Sequence, residues 1–346
     1  MSGLRPSTRV GECKVTALPD SFQPSLVVGG GLLGSHLALR LAAAGHRTTV
    51  FSRSFNPVLR ESAADRGIRL VEGEVALSPA LEDEVDAADL VFYAAGSSTP
   101  SASDLDPAGS LVGSVVPAVA VLELVRRAGR GRAIIASSGG TIYGCPARFP
   151  TPEQAPLEPI SLHGLHALSM ERYARFFADR HSLDVVVLRY SNVYGPGQLA
   201  RRSQGVIAAW VRAIAAGDPV VLFGDGSVRR DFIYVDDAVA ATLSAATDPA
   251  AHGAYNVGAG RAFSLREVLD VVEEVVDRPF AVETLEAREV DVPVIELDYS
   301  RIQALTGWAP TTELREGVAA SWAWQRERAG AAEVAVEPPA GSSWPG

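Results

Sequence analysis

Short runs rich in apolar and β-branched residues recur along the chain: LVV from residue 26, TTVF from 48, LVFYAA from 90, AIIASS from 133 and DVVVLRY from 184. Between them lie longer stretches whose apolar residues fall three and four apart, with LLGSHLALRLAAAGH after the first run as the clearest case. Strands this uniformly apolar are covered on both faces, and their alternation with helices predicts βαβ units joined into one parallel sheet. The expected fold is α/β, a Rossmann doubly wound parallel sheet. From about residue 197 the pattern changes to helices with isolated short strands, PVVLFG from 219, YNV from 255 and FAVETL from 280. That change predicts a smaller C-terminal α/β lobe closing over the carboxyl edge of the sheet, with a ligand cleft between the two. No internal repeat is present.

The first helix opens on glycine. LVVGGGLLGSHLALRLAAAGH sets Gly29, Gly31 and Gly34 in G-x-G-x-x-G spacing between a strand and a helix. In that context Gly29 permits the tight turn, Gly31 lets backbone approach a pyrophosphate, and Gly34 lets helix and strand pack closely. The start of the helix, Leu32 and Leu33 included, attracts the phosphates. Leu37 and Leu41 supply its inner face and Gly45 its stop; the alternative is a glycine-rich turn with no ligand. About 18 residues beyond Gly34, where an NAD-binding unit places an acid on the ribose 2′-hydroxyl, the chain has Ser52, Arg53 and Ser54 instead. A guanidinium with two hydroxyls suits a 2′-phosphate that a carboxylate would repel, so NADPH (NADP) is expected, with NADH as the other option. A solvated surface arginine is the plainer reading of Arg53. Glu74, after the third strand, is placed against the adenine; Ala95 and Gly96, after the fourth, leave room for the cofactor, and Ser97 follows as a substrate-side candidate. The expected divisions are a flexible segment over 1–24, a dinucleotide-binding domain over 25–196, a mainly substrate-binding lobe over 197–328 with 230–260 returning to the first domain, and a disordered tail over 329–346.

Composition narrows the chemistry. The chain has 346 residues, 47% of them hydrophobic and 21% charged, with a formal net charge of -10. That balance suits a soluble protein and lacks the basic face a nucleic-acid partner requires. The N-terminus has no signal-peptide core, and no stretch offers the roughly 18 uninterrupted apolar residues of a membrane span, so a cytoplasmic location without a membrane partner is expected. Cys13 and Cys145 are the only cysteines, too few for a disulfide framework or a thiolate metal site, and no metal is expected. Of the 31 Lys+Arg, only Lys14 is lysine. A mechanism that needs an active-site lysine is thereby nearly excluded, and no tyrosine has a lysine four residues on.

Several segments together, GGGLLGSHL, SSGGTIYG from 137, RYSNVYGPGQ from 189, GDGSVRRDFIYVDDAVAA from 224, REVDV from 288 and LTGWAPTTELREGV from 305, resemble the extended short-chain dehydrogenase/reductase family. This is the NAD-dependent epimerase/dehydratase group, and the likeness spans about 25–325. The glycine turn is one residue shorter than the family's usual form. The resemblance implies a small-molecule substrate, places Tyr190 and Val193 with the cofactor, and places Asn192, Arg230, Arg288 and Asp291 with a substrate nucleotide and its diphosphate. Inherited architecture is the competing reading of those substrate-side residues, and Arg230 beside Asp231 can equally form an internal ion pair. Dimerisation through paired helices is common in the family, so a homodimer is within expectation.

The family's working parts are a Tyr that exchanges the substrate hydroxyl proton, a Lys four residues on that depresses its pKa and holds the ribose, and a Ser or Thr that orients the substrate oxygen. Aligned through PISLHGLHALSMERY, the Tyr position is His163 and the Lys position is Ala167; aligned through SSGGTIYG, the hydroxyl position is Gly139. An imidazole with an unperturbed pKa near about 6.5 can exchange a proton around neutrality. His163 is thus either the proton carrier or a structural filler, and His166 is a weaker candidate. Ser138 and Thr141 can replace the absent hydroxyl or can satisfy backbone at a strand end. Tyr173, Phe176 and Phe177 fall at helical spacing and are expected in the core.

Oxidising an alcohol needs the missing base, whereas reducing a ketone needs only a polarised carbonyl. A phenolic hydroxyl beside an aromatic polyketide ketone provides that polarisation internally. With this dismantled triad the chain also resembles the atypical angucyclinone ketoreductases. The leading expectation is an NADPH-dependent ketoreductase acting on an angucyclinone-type aromatic polyketide ketone in antibiotic biosynthesis. The alternatives are a nucleotide-sugar epimerase or dehydratase using His163, and a non-catalytic NADP(H)-binding protein.

Overall fold

In the computed structural model, residues 24–96, 100–199, 205–287 and 292–334 are described. The chain begins with β1 (Ser25–Gly30), α1 (Leu32–Ala43), β2 (Thr48–Phe55), α2 (Pro57–Ser62), β3 (Arg69–Glu72), α3 (Pro79–Asp86) and β4 (Leu90–Tyr93). It continues through α4 (Pro100–Leu105), α5 (Pro107–Ala128), β5 (Arg132–Ser138), α6 (Leu162–His181), β6 (Val185–Tyr190), β7 (Asn192–Tyr194), α7 (Val206–Ala216) and β8 (Val220–Phe223). It ends with β9 (Arg229–Tyr234), α8 (Val235–Thr247), β10 (Gly253–Val257), β11 (Ala262–Ser264), α9 (Leu265–Val276), β12 (Val282–Leu285), α10 (Ser300–Thr306) and α11 (Leu314–Val334).

The main sheet has seven strands in the order β10-β6-β5-β4-β1-β2-β3, every pair parallel. This is the Rossmann-like doubly wound plan. Consecutive residues of β1 point to opposite faces: Val27 joins a core with Leu37 and Leu41 of α1 and Val239 and Leu243 of α8, while Leu26 and Val28 join one with Val121 and Leu122 of α5 and Phe177 of α6. The strand order reverses between β1 and β4, which opens a crevice at the carboxyl ends of β1, β4 and β5. The YNV run belongs to β10, the edge strand of this sheet beside β6.

A second core lies where α7, α9 and α11 enclose Trp210, Ile214, Leu222, Val268, Val272, Val318 and Trp322. Two small sheets accompany it: β8 with β12 in parallel, and β11-β9-β7. The helix starts follow capping chemistry, with Ser78, Asp106, Ser161 and Ser264 accepting first-turn N–H groups of α3, α5, α6 and α9. α11 continues past residue 328 to Val334, into the stretch expected to be a tail.

α5 is long and apolar enough, by length and composition, to cross a membrane, but half of that stretch is buried within the protein, where it packs on α3, α6 and the sheet. The expected burial of the α6 aromatic residues meets a different outcome. On α6 only Phe177 of the three aromatic residues is buried; Tyr173 and Phe176 are exposed. The helix seats on the sheet through the narrow stripe of Gly164, Ala167, Glu171, Ala174 and Phe177, which leaves those two rings on its flank.

Candidate active site

The glycines of the first turn differ in what requires them. Gly29 has φ +117°, and a Cβ there would stand 2.6 Å from the Ala94 carbonyl carbon, so β1 and the end of β4 close on each other. A Cβ on Gly34 would stand 1.9 Å from the Gly29 oxygen, which is the close helix–strand approach expected of it. Gly31 has an ordinary φ of -78°, and a Cβ there would meet nothing within 4 Å. No side chain caps α1 at this end. Bare first-turn backbone at Gly31, Leu32 and Leu33, facing space the protein leaves open, fits the pyrophosphate of a dinucleotide cofactor.

β2 departs from simple pairing here. Val28 pairs with Phe51 but Gly30 with Phe55, so the residues between are thrown out as a bulge at the carboxyl end of the strand. Ser52 turns inward and its hydroxyl accepts the Gly30 N–H at 3.0 Å, bracing the glycine turn. Arg53 and Ser54 stay exposed, with Arg53 Nε 3.9 Å from Glu74 Oε2. Ala95 and Gly96 follow β4 at the crevice, and Ser97 lies outside the described residues. His36 of α1 reaches the Asp236 carboxylate through Nδ1 at 3.3 Å and the Pro196 carbonyl through Nε2 at 2.8 Å, which ties α1 to α8 and to the loop after β7.

Across the crevice, α6 begins with Ser161 as cap and carries His163, half-buried, in its first turn. A Cβ on Gly164 would stand 2.5 Å from the Thr141 oxygen, so this turn lies flush against the Ser138–Thr141 turn that ends β5. Thr141 donates its hydroxyl to Ser138 Oγ at 2.8 Å, which leaves the Ser138 proton for another acceptor. Burial, and then the neighbouring His166, push the His163 pKa below its usual value, so the ring favours its neutral, proton-accepting form.

The vacated family positions are filled by apolar packing. Ala167, 2% exposed, clusters with Ile142, Tyr143 and Leu297. A side chain at Gly139 would place its Cβ 2.5 Å from Leu297 Cδ1 and 3.0 Å from the Arg189 oxygen. Leu297 therefore occupies the space that a side chain at Gly139 would take. Tyr143 does not replace the missing tyrosine: its hydroxyl donates to Asn256 Oδ1 at 2.6 Å, accepts from Arg189, and burial pushes its pKa up to about 12.

Sequence reasoning missed the polar network beneath this turn. Arg189 grips Glu171 through two nitrogens, at 2.7 and 2.9 Å, and Ser137 donates to the same carboxylate at 2.6 Å. The available signal was an arginine inside the otherwise apolar run VVVLRY. A buried cation needs a partner, and α6 supplies it.

The remaining candidates are mostly engaged in holding the fold. Tyr190 is buried, with its hydroxyl bonded to Thr242 at 2.7 Å and its carbonyl accepting from Gly139, while Val193 packs against the first core. Asn192 donates to the Asp231 carbonyl at 2.9 Å, and Arg230 donates to the Val292 and Arg229 carbonyls. The fully buried Asp231 carboxylate accepts from Ser191, Ala259, Gly260 and Leu297, and burial raises its pKa to about 6. Arg288 and Asp291 lie outside the described residues.

A model of the NAD dependent epimerase/dehydratase family matches residues 25–258. The chain belongs to this family. Among relatives of this family member, the UDP-glucose 4-epimerase of Mycolicibacterium smegmatis is 31% identical over 306 residues, covering 85% of this chain and 96% of that protein. The structure of the Thermotoga maritima UDP-glucose 4-epimerase with UDP-glucose matches with a TM-score of 0.81 at 29% identity, over 88% of this chain and 99% of the other. That of the Thermus thermophilus enzyme, in complex with NAD, gives 0.78 at 28% identity, over 88% and 99%.

These relatives overturn the expectation of a polyketide ketoreductase akin to the angucyclinone enzyme of simocyclinone biosynthesis. They are named as epimerases of a UDP-sugar, and they cover nearly their whole length with this chain. A missing acid-base set constrains how the reacting oxygen exchanges its proton; it leaves the identity of the substrate open.

Proposed function

We propose that this family member converts a nucleotide sugar, as an epimerase, with His163 as the proton carrier. What carries the reading is the place of His163 in the first turn of α6, which through Gly164 lies flush against the Ser138–Thr141 turn at the carboxyl end of β5, with burial disfavouring the charged ring. The kinship with UDP-glucose 4-epimerases supports the substrate class. When bound, the nicotinamide supplies reversible hydride exchange with the sugar carbon. The chain's residues then divide the remaining work. His163 accepts the proton of the reacting hydroxyl and returns it when the alcohol is re-formed. Ser138, with its proton uncommitted to Thr141, donates to the substrate oxygen. Gly31, Leu32 and Leu33 hold the pyrophosphate. Arg53 and Ser54, exposed on the β2 bulge, favour a 2′-phosphate and hence NADP(H) over NAD(H).

The test is a panel of UDP-glucose, UDP-glucuronate and dTDP-glucose with NADP+ or NAD+, read by NMR for the C4 epimer. Turnover of one sugar is expected, with kcat lowered about 10²- to 10⁴-fold in His163→Gln. Bound cofactor without turnover of any sugar rejects this reading in favour of the non-catalytic one, which the filling of the Gly139 space by Leu297 favours. Arg53→Asp is expected to weaken NADPH about tenfold or more, a loss of roughly 1.4 kcal/mol, and NADH far less. Equal weakening in a binding titration removes the 2′-phosphate assignment.

A further inference from the structure

We propose that Asn56 is a positioning residue that couples the two halves of the site: it ties the glycine turn between β1 and α1 to the 195–198 loop on the way to α7, so that a dinucleotide held at the turn also orders that loop. The identity of the second ligand rests on the function proposed above; the tie between turn and loop does not.

Asn56 directly follows β2 and is 6% exposed. Its backbone N–H donates to the Gly30 carbonyl at 2.8 Å, and the Ser35 hydroxyl donates to the same oxygen at 3.2 Å. With its own N–H taken by Ser52, Gly30 is fixed beside Gly31, where the open first-turn backbone of α1 begins. The Asn56 side chain works in two other directions. Oδ1 accepts the Val58 N–H at 3.0 Å and caps α2, while Nδ2 donates to the Gly197 carbonyl at 2.7 Å. An amide side chain suits this double duty, since one end accepts and the other donates.

The loop that receives this bond is closely packed. A Cβ on Gly197 would stand 2.8 Å from Val58 Cγ2, so the loop lies flush on the start of α2. A Cβ on Gly195 would stand 2.6 Å from Val235 Cγ1 of α8, and the Pro196 carbonyl meets His36 Nε2 of α1 at 2.8 Å. At the far end of the loop, Gln198 donates from Nε2 to the Val193 carbonyl of β7 at 3.1 Å, and a Cβ on Gly205, the residue before α7, would stand 2.8 Å from Gln198 Cδ. α7 then carries Ile207, Trp210, Val211 and Ile214 into the second core. One residue thus spans the step from the glycine turn to the loop that packs on the start of that core. A ligand that orders one end of such a link lowers the ordering cost of a ligand at the other, which is positive coupling.

The test is hydrogen–deuterium exchange of the full chain, read over residues 192–199 with and without saturating NADP+ or NAD+, followed by titration of UDP with and without that cofactor. In the wild type the cofactor should slow exchange over 192–199 by about fivefold or more and tighten UDP by a similar factor, the scale of coupling between two sites. Asn56→Asp keeps the cap on α2 and the N–H to Gly30 but withdraws the donor from Gly197; Asn56→Ser does so without adding a charge. In either folded variant both factors should fall below about twofold. Wild-type exchange that ignores the bound cofactor overturns the proposal, as does wild-type UDP affinity that ignores it where UDP binds. Coupling that survives in a folded variant overturns it too, even where each ligand binds more weakly, because Asn56 is then structural only. If neither variant folds, Asn56 is a folding residue and the proposal falls. Failure to bind either cofactor removes both this proposal and the proposed function. A wild type whose 192–199 exchange responds to the cofactor but which binds no UDP rejects the proposed function and leaves the tie standing.

Discussion

Residue by residue, the altered acid-base set is built into the packing around it. The Gly139 position has no room for a Cβ beside Leu297 and the Arg189 carbonyl, and Ala167 sits in an apolar cluster where an ammonium would lack a partner. Gly139→Ser is expected to cost about 1–3 kcal/mol of stability through overpacking, measured by urea denaturation, with no gain in turnover. An unchanged midpoint would show that Leu297 yields easily. That positions 139, 163 and 167 depart from the family's pattern is the expectation read from the sequence through the flanking motifs. Their filling was not legible there: Leu297 is remote in sequence, and only the fold brings it to Gly139. Arg189 was readable as an odd cation in a strand, but its partner Glu171 lies across a helix–sheet contact that no local pattern encodes.

Among the elements, the β1–α1 turn separates glycines that close packing requires from Gly31, where a side chain would meet no protein atom within 4 Å. Gly34→Ala forces a methyl onto the Gly29 carbonyl oxygen and should destabilise the protein by about 1–3 kcal/mol or more. Gly31→Ala meets no protein atom and should change stability by less than about 1 kcal/mol, yet weaken the dinucleotide about tenfold or more. Thermal melts and cofactor titrations of the two variants separate these outcomes; equal loss of stability in both would contradict the assignment of Gly31. The G-x-G-x-x-G pattern announced the turn, but it treats its glycines alike, and their different duties follow from which strand or oxygen stands opposite each. Helical spacing on α6 likewise gave three aromatic residues and could not say that small residues would form the contact face, leaving Tyr173 and Phe176 outside.

For the molecule as a whole, burial of ionisable groups sets the pH dependence. His163 and His166 have depressed pKa values in the folded state, so the unfolded chain binds more protons as pH falls through the ordinary imidazole range near 6.5, and folding weakens. Asp231 acts in the opposite sense: raised to about 6 from 3.8, it binds its proton first in the folded state and offsets part of that loss between those values. Urea midpoints at pH 7.5 and 6.0 should therefore fall toward acid in the wild type and fall less in a folded His166→Asn protein. Equal slopes would mean that His166 ionises as freely when folded as when unfolded.

Read along the chain alone, the residues already point to the parallel α/β plan that the fold shows, and give a nucleotide-binding turn and three altered catalytic positions as expectations, because alternating apolar runs and short motifs record the demands of neighbours in sequence. What replaces the missing groups comes from the folded arrangement: Leu297 against Gly139, and Arg189 gripping Glu171. Those pairings join residues from different strands and helices, and their free energy depends on burial and on donor geometry, which exist only once the sheet and its helices have closed on one another.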